Sequence, residues 1–173
     1  MTQTEPRTHT FAWSDPAEMA RAIGTTSGIE MLRGMVAGEL PPPPIMQALG
    51  IDGFEVEEGQ ATFLLTPREY HYNPLGSVHG GVIATLLDSA AGCSVHSVLP
   101  AGRGYTSLDL SVKYLRPVTV HSGQLRCVGG VLSQGRSTAL AEARLFDTTG
   151  RLVAHATSTC MLFDLPVPGS RNA

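Results

Sequence analysis

The sequence predicts an α+β fold in which a curled antiparallel sheet wraps around one long buried helix, after a short helical N-terminal extension. Three observations predict it. The segment from His79 to Val98 is long enough for a helix and has apolar residues around nearly its whole circumference, which is typical of a buried helix. A pair of strand-like segments precedes it, and four more follow it, joined by short turns. A sheet that closes over one apolar helix satisfies this order of elements.

The residues before the sheet are expected to form the N-terminal extension. Residues 1 to about 15 are polar and turn-rich, and the segment from Pro16 to Ala37 is expected to be helical in one or two pieces. Four consecutive prolines, Pro41–Pro44, cannot continue a helix and predict an extended connector. A short helical turn is expected at Ile45–Leu49. The predicted organisation is an extension over 1–44, one domain over 45–165 and a flexible tail over 166–173.

Strand signals lie on both sides of the long helix. Phe54–Val56 and Gln60–Pro67 flank a Glu-Glu-Gly turn and predict a hairpin. After the helix, every second residue from Leu108 to Tyr114 is apolar, which predicts one strand with an apolar face and a polar face. Short Gly-containing turns favour an antiparallel meander of four strands. The four are predicted at 107–114, Gln124–Leu132, Thr138–Phe146 and Arg151–Phe163.

Composition and charge restrict the possible partners. The 173-residue chain has a net charge of −3 and scattered basic residues, which argues against binding to nucleic acid or to an anionic membrane. Charged residues make up 16% of the chain, below the roughly 25% of an average soluble domain, and this favours self-association. The three cysteines are an odd number without close spacing, and no secretory signal or membrane span is visible. A cytoplasmic location is therefore expected.

Asp88 is the first candidate for chemistry. It is the only formal charge between Ser77 and Ala101, in the middle of the predicted buried helix. Burial of an unpaired carboxylate costs several kcal/mol, and helical interiors tolerate it mainly where the group has a partner or a function. The alternative is a structural aspartate that accepts a hydrogen bond from a neighbouring backbone group.

His79-Gly80-Gly81 opens the same helix. Free amides at a helix N-terminus suit a developing negative charge, such as the oxyanion of a polarised carbonyl. The alternative is that the two glycines only shape a tight entry to the helix. Nine residues separate His79 from Asp88, which gives about 13.5 Å of helical rise and opposite faces. If both residues serve one site, they must come from different subunits.

Other polar residues are weaker candidates. Asn73 precedes a proline and is either a turn former or a group that orients a water or a carbonyl. The spacing of His71 and His96 to His79 is not a metal signature, so no metal site is expected. Gln134-Gly135-Arg136-Ser137 is either an ordinary hairpin turn or a phosphate contact.

The run from His71 to Ala90 resembles the hotdog-fold acyl-CoA thioesterases of the PaaI type. The resemblance rests on Asn73, then His79-Gly80-Gly81, then Asp88 eight residues after the first glycine, and it continues through Tyr105–Asp109 to Phe163. It implies a hotdog fold, paired into dimers with continuous sheets and often further into homotetramers. It also implies an acyl-CoA substrate and no cofactor.

The same resemblance implies roles for individual residues. Asp88 would be the general base or nucleophile, and the Gly80 amide would polarise the thioester carbonyl. Asn73 and His79 would position the carbonyl or the water, and Ser107 would help hold the water near Asp88 of its own subunit. Asn73, His79 and Gly80 would therefore face Asp88 and Ser107 of the neighbouring subunit. Residues that would contact the substrate or CoA are Gly81, Gln134, Gly135, Arg136 and Ser137.

The chain departs from one related pattern at the acid. Thioesterases of the neighbouring 4-hydroxybenzoyl-CoA type place a glutamate there and a hydroxyl residue one turn later, whereas this chain has Asp88 and Gly92. The shorter acid favours base-activated water over direct attack. The acyl group stays open between aryl and short or medium chains. The alternative functions are a hotdog-type enoyl or 3-hydroxyacyl hydratase or dehydratase, and a non-catalytic acyl-CoA-binding protein.

Overall fold

One curled sheet packs around a long helix, as the sequence predicts. The computed structural model describes residues 6–17, 19 and 25–165, so the expected tail at 166–173 lies outside the described residues. None of the helices within those ranges is long and apolar enough to cross a membrane. The main helices are α1 (Gly28–Val36), α2 (Pro44–Ala48) and α3 (Gly80–Ser97). The strands are β1 (Gly53–Glu57), β2 (Gln60–Leu65), β3 (Arg103–Ser107), β4 (Ser111–Tyr114), β5 (Leu125–Gln134), β6 (Thr138–Phe146) and β7 (Leu152–Asp164).

The sheet is antiparallel, with strand order β1-β2-β5-β6-β7-β3 and with β4 also paired to β7. The predicted hairpin β1–β2 and the meander β5–β6–β7 are confirmed. The first strand of the expected four-stranded meander, however, pairs with the last one instead of with β5. This arrangement places β3, the strand that follows the long helix, beside β7 at one edge of the sheet.

The prediction of one unbroken strand over 107–114 is wrong. β3 ends at Ser107 and β4 starts at Ser111. Between them, the Asp109 carboxylate accepts a hydrogen bond from the Thr159 amide (3.1 Å), and the Asp109 carbonyl accepts one from the Ser158 hydroxyl (2.8 Å). A side-chain oxygen thus accepts the Thr159 amide in place of a backbone carbonyl, while the Leu108 amide still donates to the Thr159 carbonyl (2.8 Å). Leu108, expected on the apolar face of the strand, is 58% exposed.

The sheet-facing side of α3 sits unusually close to β5. A Cβ at Gly129 of β5 would lie 2.1 Å from the Ala90 carbonyl oxygen, so only glycine permits this approach. The side chains of α3 that are at most 1% exposed are all apolar or small, which confirms the predicted buried helix. These side chains are Leu86, Leu87, Ala90, Ala91, Ser94 and Val95. Burial of such surface supplies much of the stability of a domain of this size.

The N-terminal extension packs on the far end of α3. Ser27 and Glu30 form a capping box at the start of α1, and the Gly28 amide donates to the Leu99 carbonyl (2.9 Å). The expected helical segment before α1 falls partly on residues outside those described. The expected extended connector is one residue too long, because Pro44 begins α2. Proline is accepted at the first position of a helix, where its missing N–H has no intrahelical acceptor.

Candidate active site

Asp88 lies midway along α3, where the helix passes the end of β3. The Ser107 hydroxyl, on the last residue of β3, donates a hydrogen bond to Asp88 Oδ1 (3.0 Å). Within the described residues, this is the one hydrogen bond that the Asp88 carboxylate receives from the chain. The carboxylate is half-buried, and its second oxygen is available to a water or a substrate. Asp88 and Ser107, which were expected to lie near each other in one subunit, are thus adjacent.

Two cavities meet at Asp88. A largely apolar cavity of about 440 Å³, partly open to solvent, extends from Asp88 along α3 and beneath the N-terminal extension. A more open depression of about 360 Å³ lies on the other side of Asp88, above Ser107. The carboxylate therefore lies between the apolar cavity and the more open depression. The depression is lined by Ala84, Thr85, Leu108, Asp109 and Leu110 in addition to Asp88 and Ser107.

The N-terminus of α3 forms a second group of candidate residues. His79 caps the helix, and its Nδ1 accepts a hydrogen bond from the Gly81 amide (2.9 Å). In the neutral ring the proton therefore lies on Nε2, on an exposed side chain. The Gly80 amide donates to no atom of the described residues, and the positive end of the helix dipole lies at this amide. This is the geometry of an anion-binding helix terminus.

Tyr114 of β4 was missed by the sequence reasoning. Its hydroxyl donates to the Gly80 carbonyl (2.9 Å), and a Cβ at Gly80 would lie 3.2 Å from its ring. Tyr114 was expected on the apolar face of its strand, and its side chain is 53% exposed in the single chain. Nothing in the spacing of β4 points to this contact, since it joins residues 34 apart.

Asn73 acts as a turn former in this structure. Its Oδ1 accepts hydrogen bonds from the Leu75 amide (2.9 Å) and the Ser77 amide (3.3 Å). Its Nδ2 donates to the Ser77 hydroxyl (3.1 Å). One amide hydrogen remains for another acceptor. Asn73 lines the same surface cleft as Gly80 and Tyr114.

One chain does not bring the two groups together. Gly80 and Asp88 are eight residues apart on α3, which corresponds to about 12 Å of helical rise. The cleft beside Gly80 shares no lining residue with either cavity at Asp88. A base and an oxyanion donor must both lie about 3 Å from the atoms of one reacting carbonyl. One chain therefore carries two separate groups of candidate residues, Asn73, His79 and Gly80 in one and Asp88 and Ser107 in the other.

The turn Gln134–Ser137 belongs to neither half. It is an exposed hairpin turn in which the Gly135 amide donates to the Thr138 carbonyl (2.8 Å). The Arg136 carbonyl accepts a hydrogen bond from the Arg103 guanidinium (2.8 Å). Arg103 begins β3, four residues before Ser107. The turn thus lies near the opposite end of β3 from the candidate acid.

Burial shifts the pKa of two side chains on α3, Cys93 and His96. Burial raises the pKa of Cys93 to about 12, with the Asp88 charge as a smaller cause, so the group is a thiol at neutral pH and a poor nucleophile. Burial lowers the pKa of His96, which keeps the ring neutral. His96 was considered only as a metal ligand. Within the described residues, no group of three His, Cys, Asp or Glu is placed to hold a metal ion.

Comparison with known proteins supports the same family. The family model of the thioesterase superfamily matches residues 75–154. Mouse acyl-coenzyme A thioesterase 13 is 33% identical over 93 residues, 53% of this chain and 65% of that protein. The chain thus spans just under two thirds of that relative's length.

Two solved structures share the fold. The phenylacetic acid degradation-related protein of Ralstonia eutropha JMP134 has a TM-score of 0.68 at 29% identity, over 75% of this chain and 98% of that one. The Escherichia coli PaaI protein has a TM-score of 0.64 at 24% identity, over 70% of this chain and 85% of that one. The expected hotdog fold is confirmed. The chain is similar to the thioesterase superfamily over residues 75–154 and shares the hotdog fold of PaaI-type proteins.

Proposed function

We propose that this chain is an acyl-CoA thioesterase that hydrolyses CoA thioesters to the free acid and CoA. The observation that carries the proposal is the Asp88 carboxylate, which Ser107 holds by a 3.0 Å hydrogen bond at the mouth of an apolar cavity. An acid next to an apolar chamber suits a substrate that joins a hydrophobic acyl group to a polar carrier. The name of the mouse relative supports CoA as that carrier.

Asp88 acts as the general base. Its Oδ1 is occupied by Ser107, and its Oδ2 accepts a proton from a water molecule while the water oxygen bonds to the thioester carbonyl carbon. The C–S bond then breaks, and the CoA thiolate takes up the proton that Asp88 received. One water is consumed, and the products are the carboxylic acid and the CoA thiol.

The oxyanion of the tetrahedral intermediate is stabilised by the Gly80 amide of a second copy of the chain. The free amide at the start of α3 and the helix dipole support this role. His79 Nε2–H and the remaining Asn73 amide hydrogen are the neighbouring donors that position the carbonyl. Gly81 contributes by fixing the His79 ring through its own amide (2.9 Å).

A homodimer is the smallest assembly that completes this site. Its interface lies along the edge formed by β3 and β4, where one sheet continues into the next. Large apolar side chains on this edge remain exposed in the single chain, which supports coverage by a partner. They are Leu108 (58%), Tyr114 (53%) and Leu115 (48%). A dimer of dimers would contain two such pairs.

The exposed turn Gln134–Ser137 contacts the phosphates of CoA through Arg136. Its exposure and its single cation support this assignment. A cytoplasmic location belongs to the same proposal, since all three cysteines are free thiols and suit a reducing compartment.

A thiol-release screen across aryl-, short-, medium- and long-chain acyl-CoAs tests the activity. Hydrolysis by the wild-type chain, reduced by about 10²–10⁴-fold in Asp88→Asn, is the expected result. Hydration of crotonyl-CoA without thiol release would favour the hydratase alternative. Tight binding of CoA esters without any reaction would favour a binding protein. Either outcome contradicts the thioesterase assignment.

A further inference from the structure

Two hydroxyl side chains of β3 point to the same face of α3. Tyr105 stands two residues before Ser107 on this strand, and side chains two residues apart in a strand lie on the same side of the sheet. Ser107 faces α3, where its hydroxyl holds Asp88. Tyr105 also faces α3: its ring centroid lies 5.7 Å from that of His96, and it lines the apolar cavity that begins at Asp88.

Gly92 provides the room for the Tyr105 hydroxyl. It lies one helical turn after Asp88 on α3. A Cβ at Gly92 would lie 2.5 Å from Tyr105 Oη and 3.0 Å from the nearest ring carbon, well inside van der Waals contact. Glycine in a helix interior is less favourable than alanine by about 1 kcal/mol, so this position has a packing reason to be glycine. The hydroxyl therefore lies against the helix, about one turn from the Asp88 carboxylate.

The Tyr105 hydroxyl is both unpaired and open to the cavity. The Tyr72 hydroxyl accepts a hydrogen bond from a backbone amide (2.8 Å), and the Tyr114 hydroxyl donates one to a backbone carbonyl (2.9 Å). The Tyr105 hydroxyl makes no hydrogen bond within the described residues. In the same part of the chain, the side-chain polar atoms that are both buried and unpaired belong to His96 and Arg103 instead. A water or a substrate atom can therefore reach the Tyr105 hydroxyl from the cavity.

The protonation of Tyr105 restricts what its hydroxyl can do. Burial raises the pKa of Tyr105 well above its ordinary value, with Cys93, Asp88 and Cys160 as smaller electrostatic causes in the same direction. The phenol therefore keeps its proton at neutral pH, and the role of base stays with Asp88. One helical turn spans about 5.4 Å, which is close to the length of two hydrogen bonds in series through one water molecule.

We propose that Tyr105 positions the attacking water: its hydroxyl and the free oxygen of Asp88 hold the water molecule between them. One hydrogen of the water bonds to Asp88 Oδ2 and the other to Tyr105 Oη, which leaves an oxygen lone pair for the thioester carbonyl carbon. On attack the new C–O bond forms, the first hydrogen passes to Asp88 as a proton, and the second stays on the water oxygen. Tyr105 exchanges no proton. The inference rests on the proposed thioesterase function and adds to it a residue that orients the nucleophile.

Tyr105→Phe keeps the ring and removes the hydroxyl. Thiol release is measured with the best acyl-CoA from the screen. The kcat should fall about tenfold or more, because a misplaced water reacts slowly, while KM stays within about a factor of two. The free energy of unfolding should not fall, because the hydroxyl has no partner in the described chain. Tyr70→Phe, at an exposed tyrosine outside the cavity, is the matched control and should leave kcat unchanged.

Gly92→Ala tests the same hydroxyl from the helix side. The added Cβ displaces Tyr105 Oη while the tyrosine remains, so kcat should again fall. In the double variant with Tyr105→Phe, kcat should stay close to that of Tyr105→Phe alone, because the displaced hydroxyl is already absent. Losses of kcat that multiply in the double variant would show that Gly92 and the Tyr105 hydroxyl act independently, against the proposal.

The activity of the wild type and the effect of Tyr105→Phe answer separate questions. A kcat within about a factor of two of wild type overturns the role of Tyr105 and leaves the thioesterase assignment intact. A higher KM at unchanged kcat would place the hydroxyl on the substrate instead of the water. A loss of unfolding free energy that accompanies the loss of kcat would make the hydroxyl structural, and both results contradict the proposal. If the wild type hydrolyses none of the esters, the thioesterase assignment fails and this inference fails with it.

Discussion

The two sides of α3 differ in how completely their side chains are packed or hydrogen-bonded by the rest of the chain. The side that faces the sheet is closed: Ala90 lies against Gly129 with no room for a methyl group, and the neighbouring side chains are fully buried. The side that faces the N-terminal extension and the sheet edge carries Asp88 and His96, each with polar atoms that the described chain leaves unpaired. One helix is therefore a scaffold on one side and a candidate site on the other.

The two buried histidines show the same difference. His71 is 2% exposed, and both of its nitrogens are used: Nδ1 accepts from the Arg68 amide (3.0 Å) and Nε2 donates to the Leu49 carbonyl (2.9 Å). His96 has no partner for either nitrogen within the described residues. His71 therefore holds its loop in place, whereas the ring nitrogens of His96 contribute no hydrogen bond to the described fold.

Asp88→Asn should give the largest effect on the functional side. The amide cannot accept a proton, so thiol release should fall by about 10²–10⁴-fold. The half-buried position and the retained oxygen for Ser107 predict little change in unfolding temperature. Steady-state thiol release, with size-exclusion chromatography of the same sample, measures both. Hydrolysis within a factor of a few of wild type would contradict the assignment of Asp88.

Gly80→Pro should lower turnover by about 10²–10³-fold, the cost of one oxyanion donor. Proline removes the amide hydrogen but suits the first position of a helix, and the extended backbone of His79 (φ −61, ψ 136) is the conformation preferred before proline. Gly80→Ala is the matched control, since it adds the Cβ near Tyr114 and keeps the N–H. Equal losses in the two variants would show that the amide plays no part.

Gly129→Ala should destabilise the closed side by about 3 kcal/mol, since overpacking of this severity moves the backbone. The adjacent Gly130 provides the control, because a Cβ there meets nothing within 4 Å. Denaturant unfolding of both variants measures the difference. Equal stabilities would mean that the contact between α3 and β5 is not tight.

The smallest expected effect is the dependence of stability on pH through His71. Burial lowers the pKa of His71 below its ordinary value, and the charges of His9 and Arg68 lower it slightly further, whereas the hydrogen bond to Leu49 and the charge of Asp52 act in the opposite direction. Because protonation is then easier in the unfolded chain, this contribution to stability is present above about pH 6.5 and is lost as the pH falls below it.

Unfolding of wild type and His71→Gln between pH 8 and pH 5 measures this contribution. The wild type should lose more stability than the variant over that range. Parallel curves for the two proteins would contradict the expectation.

Much of the fold follows from local pattern, and the remainder depends on distant contacts. The apolar circumference of 79–98 predicts α3 almost to the residue, and the turn residues predict β1, β2 and β6. The break between β3 and β4 was not predictable, because the Asp109 carboxylate meets a backbone amide 50 residues later. The cavity was not predictable either, because periodicity marks apolar residues in the same way whether they face a core or an empty chamber.

The residues of the candidate site differ in the same way, since some follow from local pattern and others depend on distant contacts. Asp88 stands out in the sequence as a lone charge, and helix geometry alone separates it from His79. The Ser107 hydrogen bond was implied only by family resemblance, and Tyr114 by nothing local. His96 carried one usable signal: with Ser89 and Cys93 it forms a polar stripe at helical spacing, inside a helix that is otherwise apolar.

Complementation between two inactive chains tests most directly whether the site is shared between two copies. Asp88→Asn and Gly80→Pro chains are co-expressed with different affinity tags, and the mixed dimer is purified and assayed for thiol release. In a shared site, each mixed dimer has one site with both defects and one with neither. The mixed dimer should therefore recover about half of wild-type activity, and an unsorted random mixture about a quarter. If instead Gly80 and Asp88 act within one chain, every site carries a defect, and the mixed dimer would stay as inactive as its parents.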